Sequence, residues 1–141
     1  PYPWGGPSLR NNRGCLLANF KPGRGNYVDD GVTYTAKTYT FNPNDFGLFN
    51  MAGNVAEWTA STFHESASSF VGDLNPDYRY DAKDSDAPIM KRKVVRGGSW
   101  KDVGYYLMNG TRAYEFQDSA RSTIGFRCVM DFTGRDIRDI R

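Results

Sequence analysis

The sequence predicts one compact, turn-rich domain built from short strands strung between long loops. Three observations predict it. The chain has 141 residues, which is one domain and too little for two. It carries 15 glycines and 7 prolines, with 15 % aromatic residues, a mixture unlike a helical bundle or a disordered tail. No long-range repeat is present, so solenoids and propellers are excluded.

The elements follow in chain order. Residues 1 to 34 read as loop, because Gly5-Gly6-Pro7, Asn11-Asn12 and Gly23-Arg24-Gly25-Asn26 interrupt short apolar pieces such as Leu16-Leu17. Thr33 to Phe41 mixes threonines with aromatics and predicts an extended segment, ended by Asn42-Pro43-Asn44-Asp45. Gly47 to Trp58 combines small residues with Asn50, Asn54 and Glu57. Residues 65 to 91 hold Asp73, Asp77, Asp81, Asp84 and Asp86 and predict a long surface excursion. Lys93-Val94-Val95-Arg96 is β-branched at its centre and reads as a strand stopped by Gly97-Gly98. Asn109-Gly110 between Tyr105–Met108 and Thr111–Phe116 predicts a hairpin, and Ile124 to Met130 a closing strand. The tail, residues 135–141, places Ile137 and Ile140 on one side of a helix or else frays as a chain end.

Charge and motifs exclude several functions. Eighteen basic against 16 acidic residues leave a net charge of +2, with no broad electrostatic footprint for nucleic acid or an anionic membrane. No apolar run approaches the roughly 18 residues needed to cross a bilayer. The start at Pro1, without an initiator Met, leads to the expectation of a piece of a longer protein with any targeting segment upstream. Cys15 and Cys128 either form a bridge, worth roughly 4 to 5 kcal/mol of loop-closure entropy, or stay as two buried free thiols. Gly23-Arg24-Gly25 lacks the context of a dinucleotide loop, and His64 is the sole histidine, so a zinc site needing two is absent. A triad through His64 has no nucleophile elbow to serve it, and an exposed histidine is the simpler reading. Asn109-Gly110-Thr111 has the form of a glycosylation acceptor, although its hairpin reading is simpler.

Two oxygen-rich constellations survive. Asn50, Gly53, Val55 and Glu57 combine hard side-chain ligands with a glycine that frees nearby carbonyls, and Asn19 with Asp30 does likewise. Calcium takes six to eight oxygens of these types. Turn-capping hydrogen bonds explain the same residues without a metal.

Gly47-Leu48-Phe49-Asn50-Met51-Ala52-Gly53-Asn54-Val55-Ala56-Glu57-Trp58 resembles the core signature of the formylglycine-generating enzyme, or sulfatase-modifying factor, superfamily. Val95-Arg96-Gly97-Gly98-Ser99-Trp100, Ala120-Arg121 and Ile124-Gly125-Phe126-Arg127-Cys128 continue the resemblance in order, and Pro3-Trp4-Gly5 resembles its Pro-Trp-Gly segment. The resemblance implies an irregular α+β fold related to C-type lectins, low in regular secondary structure. Residues 1–134 would be the C-terminal portion of one such domain and 135–141 a tail. It implies structural calcium at Asn50, Gly53, Val55 and Glu57, and a second ion at Asn19, the Phe20 carbonyl, Asp30 and the Val32 carbonyl. The hypothesis is that calcium stiffens a loop-dominated fold.

Oxidase members of the superfamily bind copper through two cysteines just after Arg-Gly-Gly-Ser-Trp. Aligned on Trp100, those positions are Asp102 and Leu107, which cannot replace a thiolate pair at copper(I). No copper and no catalysis are therefore expected, and Cys128 reads as structural. Histidine-ligated iron chemistry in the superfamily needs an additional domain.

The segments Leu17–Tyr27, Lys91–Asp102 and Glu115–Ser122 look like the K-type and J-type gliding-motility lipoproteins of Bacteroidetes. That resemblance implies a noncatalytic part of the type IX secretion and gliding machinery at the periplasmic face of the outer membrane. It implies a ring or hetero-oligomer with other subunits of the complex, no nucleic acid, and membrane contact only through an upstream lipid anchor. The two types are not separated by these residues. Tyr105, Tyr106, Tyr114 and Phe116 are candidate interface anchors or, equally, packed core residues. A formylglycine-generating-enzyme-like oxidoreductase or a ligand-binding domain with a rebuilt pocket around Asp102 and Ser99 is the alternative. A lectin-like sugar site ranks last, since neither Glu-Pro-Asn nor Gln-Pro-Asp occurs.

Overall fold

The computed structural model describes residues 1–23, 26–70 and 77–130. Its centre is a four-stranded mixed sheet in the order β3-β2-β1-β4. β1 (Ala56–Thr62) and β2 (Arg92–Arg96) run antiparallel, with Trp58 opposite Val95 and an irregularity before Thr62. β3 (Ala113–Phe116) pairs antiparallel with β2, and β4 (Ile124–Gly125) pairs parallel with β1. One four-residue helix, α1 (Ala67–Phe70), and two 3-10 turns, Pro88–Lys91 and Gly104–Leu107, complete the regular structure among the described residues. The architecture is the irregular α+β type the resemblance implies.

β2 forms where expected, because Val94 and Val95 are both buried and a β-branched pair suits a strand covered on two faces. Arg92 at its start is also buried. Its guanidinium lies 5.1 Å from the Phe63 ring centre and 4.8 Å from that of Tyr114, and pairs with Glu65 at 2.8 Å.

Four expectations need correction. Residues 105–108 are no strand. Gly104–Leu107 coils into a 3-10 turn, which puts Leu107 into a core with Ala18, Phe20 and Ala52. Asn109-Gly110 then turns the chain without making a hairpin, and β3 finds its partner in β2. Residues 33–41 contain no strand either, since their backbone groups meet asparagine side chains instead of a ladder. The closing strand is two residues long, for only Ile124 and Gly125 reach β1. Cys15 and Cys128 are free and both exposed, so they are neither bridged nor buried.

The described residues of 1–34 are loop apart from a bridge between Arg10 and Leu16, as expected. The described part of the acidic excursion is largely exposed and tied to β1, where Thr62 N–H donates to the Tyr78 carbonyl at 2.6 Å. Arg24-Gly25 of the glycine-rich loop, Asp73 and the tail lie outside the described residues, as does the boundary at 134. No described helix is long and apolar enough to cross a membrane.

Candidate functional site

The two constellations are joined by a residue that sequence reasoning left without a role. Asn54 adopts φ 70°, a left-handed conformation that asparagine tolerates better than most residues. Its Oδ1 accepts hydrogen bonds from Ala36 N–H at 2.7 Å and from Asn19 Nδ2 at 3.3 Å. Its own N–H donates to the Asn19 carbonyl, and its carbonyl accepts from Trp100 N–H. One side chain and its peptide groups therefore hold four loops together. Gly53 beside it has φ +77°, and a Cβ there would lie 2.4 Å from the Asn19 carbonyl oxygen. Only glycine permits that approach.

Asn50, Gly53, Val55 and Glu57 line one hollow of about 220 Å³, with Thr38, Phe49 and Phe126 around them. Asn50 donates from Nδ2 to the Thr38 carbonyl at 3.0 Å, so its Oδ1 remains the ligand-type oxygen. Glu57 is not isolated. Arg127 grips its carboxylate from Nε at 3.2 and 3.1 Å and from Nη2 at 2.8 Å, and also donates to the Phe49 carbonyl at 2.9 Å. Glu57 raises the Arg127 guanidinium above its ordinary pKa. Nothing local in the sequence marks this pair, whose members stand 70 positions apart.

The second set also assembles. Phe20 N–H donates to Asp30 Oδ2 at 3.1 Å and Val32 N–H to Oδ1 at 3.0 Å, bringing both backbone partners onto one carboxylate. Burial pushes the Asp30 carboxyl above the usual aspartate value, opposed by those backbone bonds. Asn19 is 2 % exposed and spends its amide nitrogen on Tyr34 O and Asn54. Both donor sets are hard oxygens, mixing carboxylate, amide and carbonyl, and so fit calcium chemically. Each supplies a single carboxylate, and no cluster of three acidic, histidine or cysteine residues occurs among the described residues.

The two positions aligned with the copper-binding cysteines diverge. Asp102 Oδ2 accepts from Ser99 N–H at 2.9 Å and from Ser99 Oγ at 2.6 Å, capping the turn that follows β2. Leu107 is 1 % exposed and packs into the core. Asp102 lines a cavity of about 450 Å³ on one face of the sheet, and Leu107 lines a different hollow. A carboxylate and an isobutyl group in separate hollows do not fit copper(I). Around the first cavity stand Lys101, Glu115 and Arg121, the last two paired at 2.6 Å. Tyr105, Tyr106 and Tyr114 are exposed and Phe116 half-buried, so the tyrosines are surface groups rather than core.

Asparagine-stapled loops around a small mixed sheet, with oxygen-lined hollows on the Asn-x-x-Gly-Asn-x-x-Glu stretch, define a formylglycine-generating-enzyme-like domain. The family model described as "Sulfatase-modifying factor enzyme 1-like domain" matches residues 1–132, and the chain belongs to that family. It is 33 % identical over 138 residues to a formylglycine-generating enzyme of Bos taurus, covering 92 % of this chain and 33 % of the relative. It is 32 % identical over 134 residues to the "Inactive C-alpha-formylglycine-generating enzyme 2" of Bos taurus, covering 91 % and 36 %. The solved structure of PvdO from Pseudomonas aeruginosa aligns with a TM-score of 0.62 and 26 % identity, over 77 % of this chain and 37 % of that one. The chain thus spans about a third of the length of the curated relatives it matches.

Proposed function

We propose that this chain is a noncatalytic assembly module of the type IX secretion and gliding-motility machinery. It works at the periplasmic face of the bacterial outer membrane, as part of a lipoprotein anchored by an upstream lipid. The observation that carries the noncatalytic reading is the pair Asp102 and Leu107. One is locked into a turn and the other into the core, in place of two thiolates. A relative named as inactive, at 32 % identity, is in keeping with it. The secretion and gliding assignment rests on the lipoprotein-like segments Leu17–Tyr27, Lys91–Asp102 and Glu115–Ser122. Its partners are other subunits of that complex in a ring or hetero-oligomer, met in part through the exposed Tyr105 and Tyr106. Calcium at the two oxygen sets is structural.

Purifying the full-length protein from envelopes of its source bacterium tests this reading. Co-purification in a large envelope complex is expected, and a soluble monomer without envelope partners overturns it. Incubation with copper, dioxygen and a cysteine-containing sulfatase peptide should give no turnover; turnover overturns the noncatalytic reading. Calcium should raise the melting temperature and a chelator lower it, whereas an unchanged transition counts against bound metal.

A further inference from the structure

The cavity on the sheet face has a character of its own. All four strands contribute to its floor, through Ala56, Val95, Ala113 and Ile124. The register explains the grouping, because Ala56 lies opposite Ile124 and Val95 opposite Ala113. Two alanines where large side chains would fill the space leave about 450 Å³ open, within the usual size of a small-ligand site. Gly98 sharpens the wall. A Cβ there would come within 3.0 Å of Leu107 Cδ1 and 3.1 Å of the Tyr106 backbone and Cβ, so the wall is closely packed at that point.

The rim is charged in an uneven way. Glu115 is spent: its Oε2 accepts from Arg121 Nε at 2.6 Å and its Oε1 from Phe116 N–H at 3.0 Å. Asp102 gives Oδ2 to the two donors of Ser99. The Arg121 guanidinium commits only Nε among the described residues, so its two terminal nitrogens are unspent. Lys101 has no ion-pair partner within 4 Å among them. The hydrogen bond from Arg121, then that from Phe116 N–H, with the charges of Arg121 and Lys101 adding to them, holds the Glu115 carboxyl below its usual value. Two cationic donor groups thus stand over an apolar floor.

We propose that this cavity binds a carboxylate-terminated ligand, a free polypeptide C-terminus with a small apolar last side chain. The carboxylate takes the terminal nitrogens of Arg121, the planar fork suited to bidentate pairing, with Lys101 as a second charge. The side chain rests on Ala56, Val95, Ala113 and Ile124. Glu115 is a positioning residue, holding Arg121 beside the cavity through Nε while leaving its fork available. This goes beyond the assembly role and does not depend on it.

The test titrates the full-length protein with acetyl-Ala-Ala-Val as the free acid and, in parallel, as its amide, read by calorimetry. The free acid should bind and the amide should bind about tenfold or more weakly, since the charge-assisted bonds are lost. Arg121→Gln should weaken the acid about tenfold and leave the amide unchanged. Arg13→Gln, on a separate open groove, should change neither. Glu115→Gln should weaken the acid less than Arg121→Gln does. Equal binding of acid and amide, no binding at millimolar peptide, or equal loss with Arg13→Gln overturns the proposal. Arg121 is exposed but the Glu115 side chain is only 16 % exposed, so each variant is checked for an unchanged melting temperature. If Arg121→Gln melts early, the acid–amide comparison on the unmutated protein decides alone. Envelope co-purification reads out the assembly role separately, so either can fail while the other stands.

Discussion

The described residues before β1 and those from β1 onward are built on different principles. The described residues from 1 to 55 contain no strand, only the bridge between Arg10 and Leu16. Beside isolated turn and loop bonds between backbone groups, side chains satisfy much of its backbone: Asn11, Asp30, Asn44 and Asn54 each accept from two backbone or amide N–H groups. From residue 56 onward the ladders of β1, β2 and β3 do that work. A ladder spreads its hydrogen bonds over many residues, and a staple concentrates them in one. The first region should therefore be fragile at single positions and the second tolerant.

The largest expected effect is Gly53→Ala. A left-handed φ and a Cβ 2.4 Å from a carbonyl oxygen together should cost about 3 kcal/mol. That lowers the melting temperature by about 10 °C in a chain of this size. A shift under 2 °C, on the same scale, would break the contrast between the regions. Asn54→Ala should follow at about 2 kcal/mol, because Ala36 N–H and the Asn19 amide lose their acceptor in half-buried surroundings. Asn44→Ala removes an acceptor shared by Phe46 and Leu48 N–H near the surface and should cost about 1 kcal/mol. Thr59→Ala in β1, which loses the bond to the Val94 carbonyl and a long one accepted from Ser61 N–H at 3.3 Å beside an intact ladder, should cost about 0.5 kcal/mol in denaturant titrations. Should Thr59→Ala exceed Asn54→Ala, the distinction between staple and ladder is wrong.

The finest test is the pH profile, where two carboxylates should act with opposite sign. Glu115 is held below its usual value by Arg121, so its contribution is present above the ordinary glutamate range and lost as pH falls through the folded value. Glu115→Gln should flatten that acid limb. Asp30 is raised by burial, so the folded state holds its proton longer. Without metal, stability falls as pH rises from the ordinary aspartate value through the raised one, and Asp30→Asn should flatten that descent. Melting curves of both variants between pH 3 and 7, across the carboxylate range, check the signs.

Particular residues show what was legible beforehand. β2 was readable because Val94 and Val95 carry the strand signal in their own branching. The quartet from Asn50 to Glu57 was readable because its members lie within eight residues, and the hollow they line does form. The expected hairpin at Asn109-Gly110 failed because a buried site for Leu107 outweighed a good turn dipeptide. The extended segment from Thr33 failed because Asn54 and Asn50 offered its backbone an alternative to a ladder. β1, the longest strand among the described residues, was assigned no element beforehand, because its Ala-Glu-Trp-Thr-Ala-Ser-Thr run has no branched apolar centre like that of β2. Arg127 on Glu57 and Arg121 over the sheet cavity were unreadable as pairings.

Local chemistry alone determined the turn-rich class, the one strong strand, the oxygen-rich quartet and the absence of paired thiols near Trp100. Those properties belong to residues within a few positions of each other, where conformational preference acts directly. Only the folded chain decided that Asn54 ties four loops, that Arg127 crosses to Glu57, and that Asp102 and Leu107 end in separate hollows. Such contacts depend on which distant segments pack together, and packing free energy is shared across the whole core rather than carried by any short stretch.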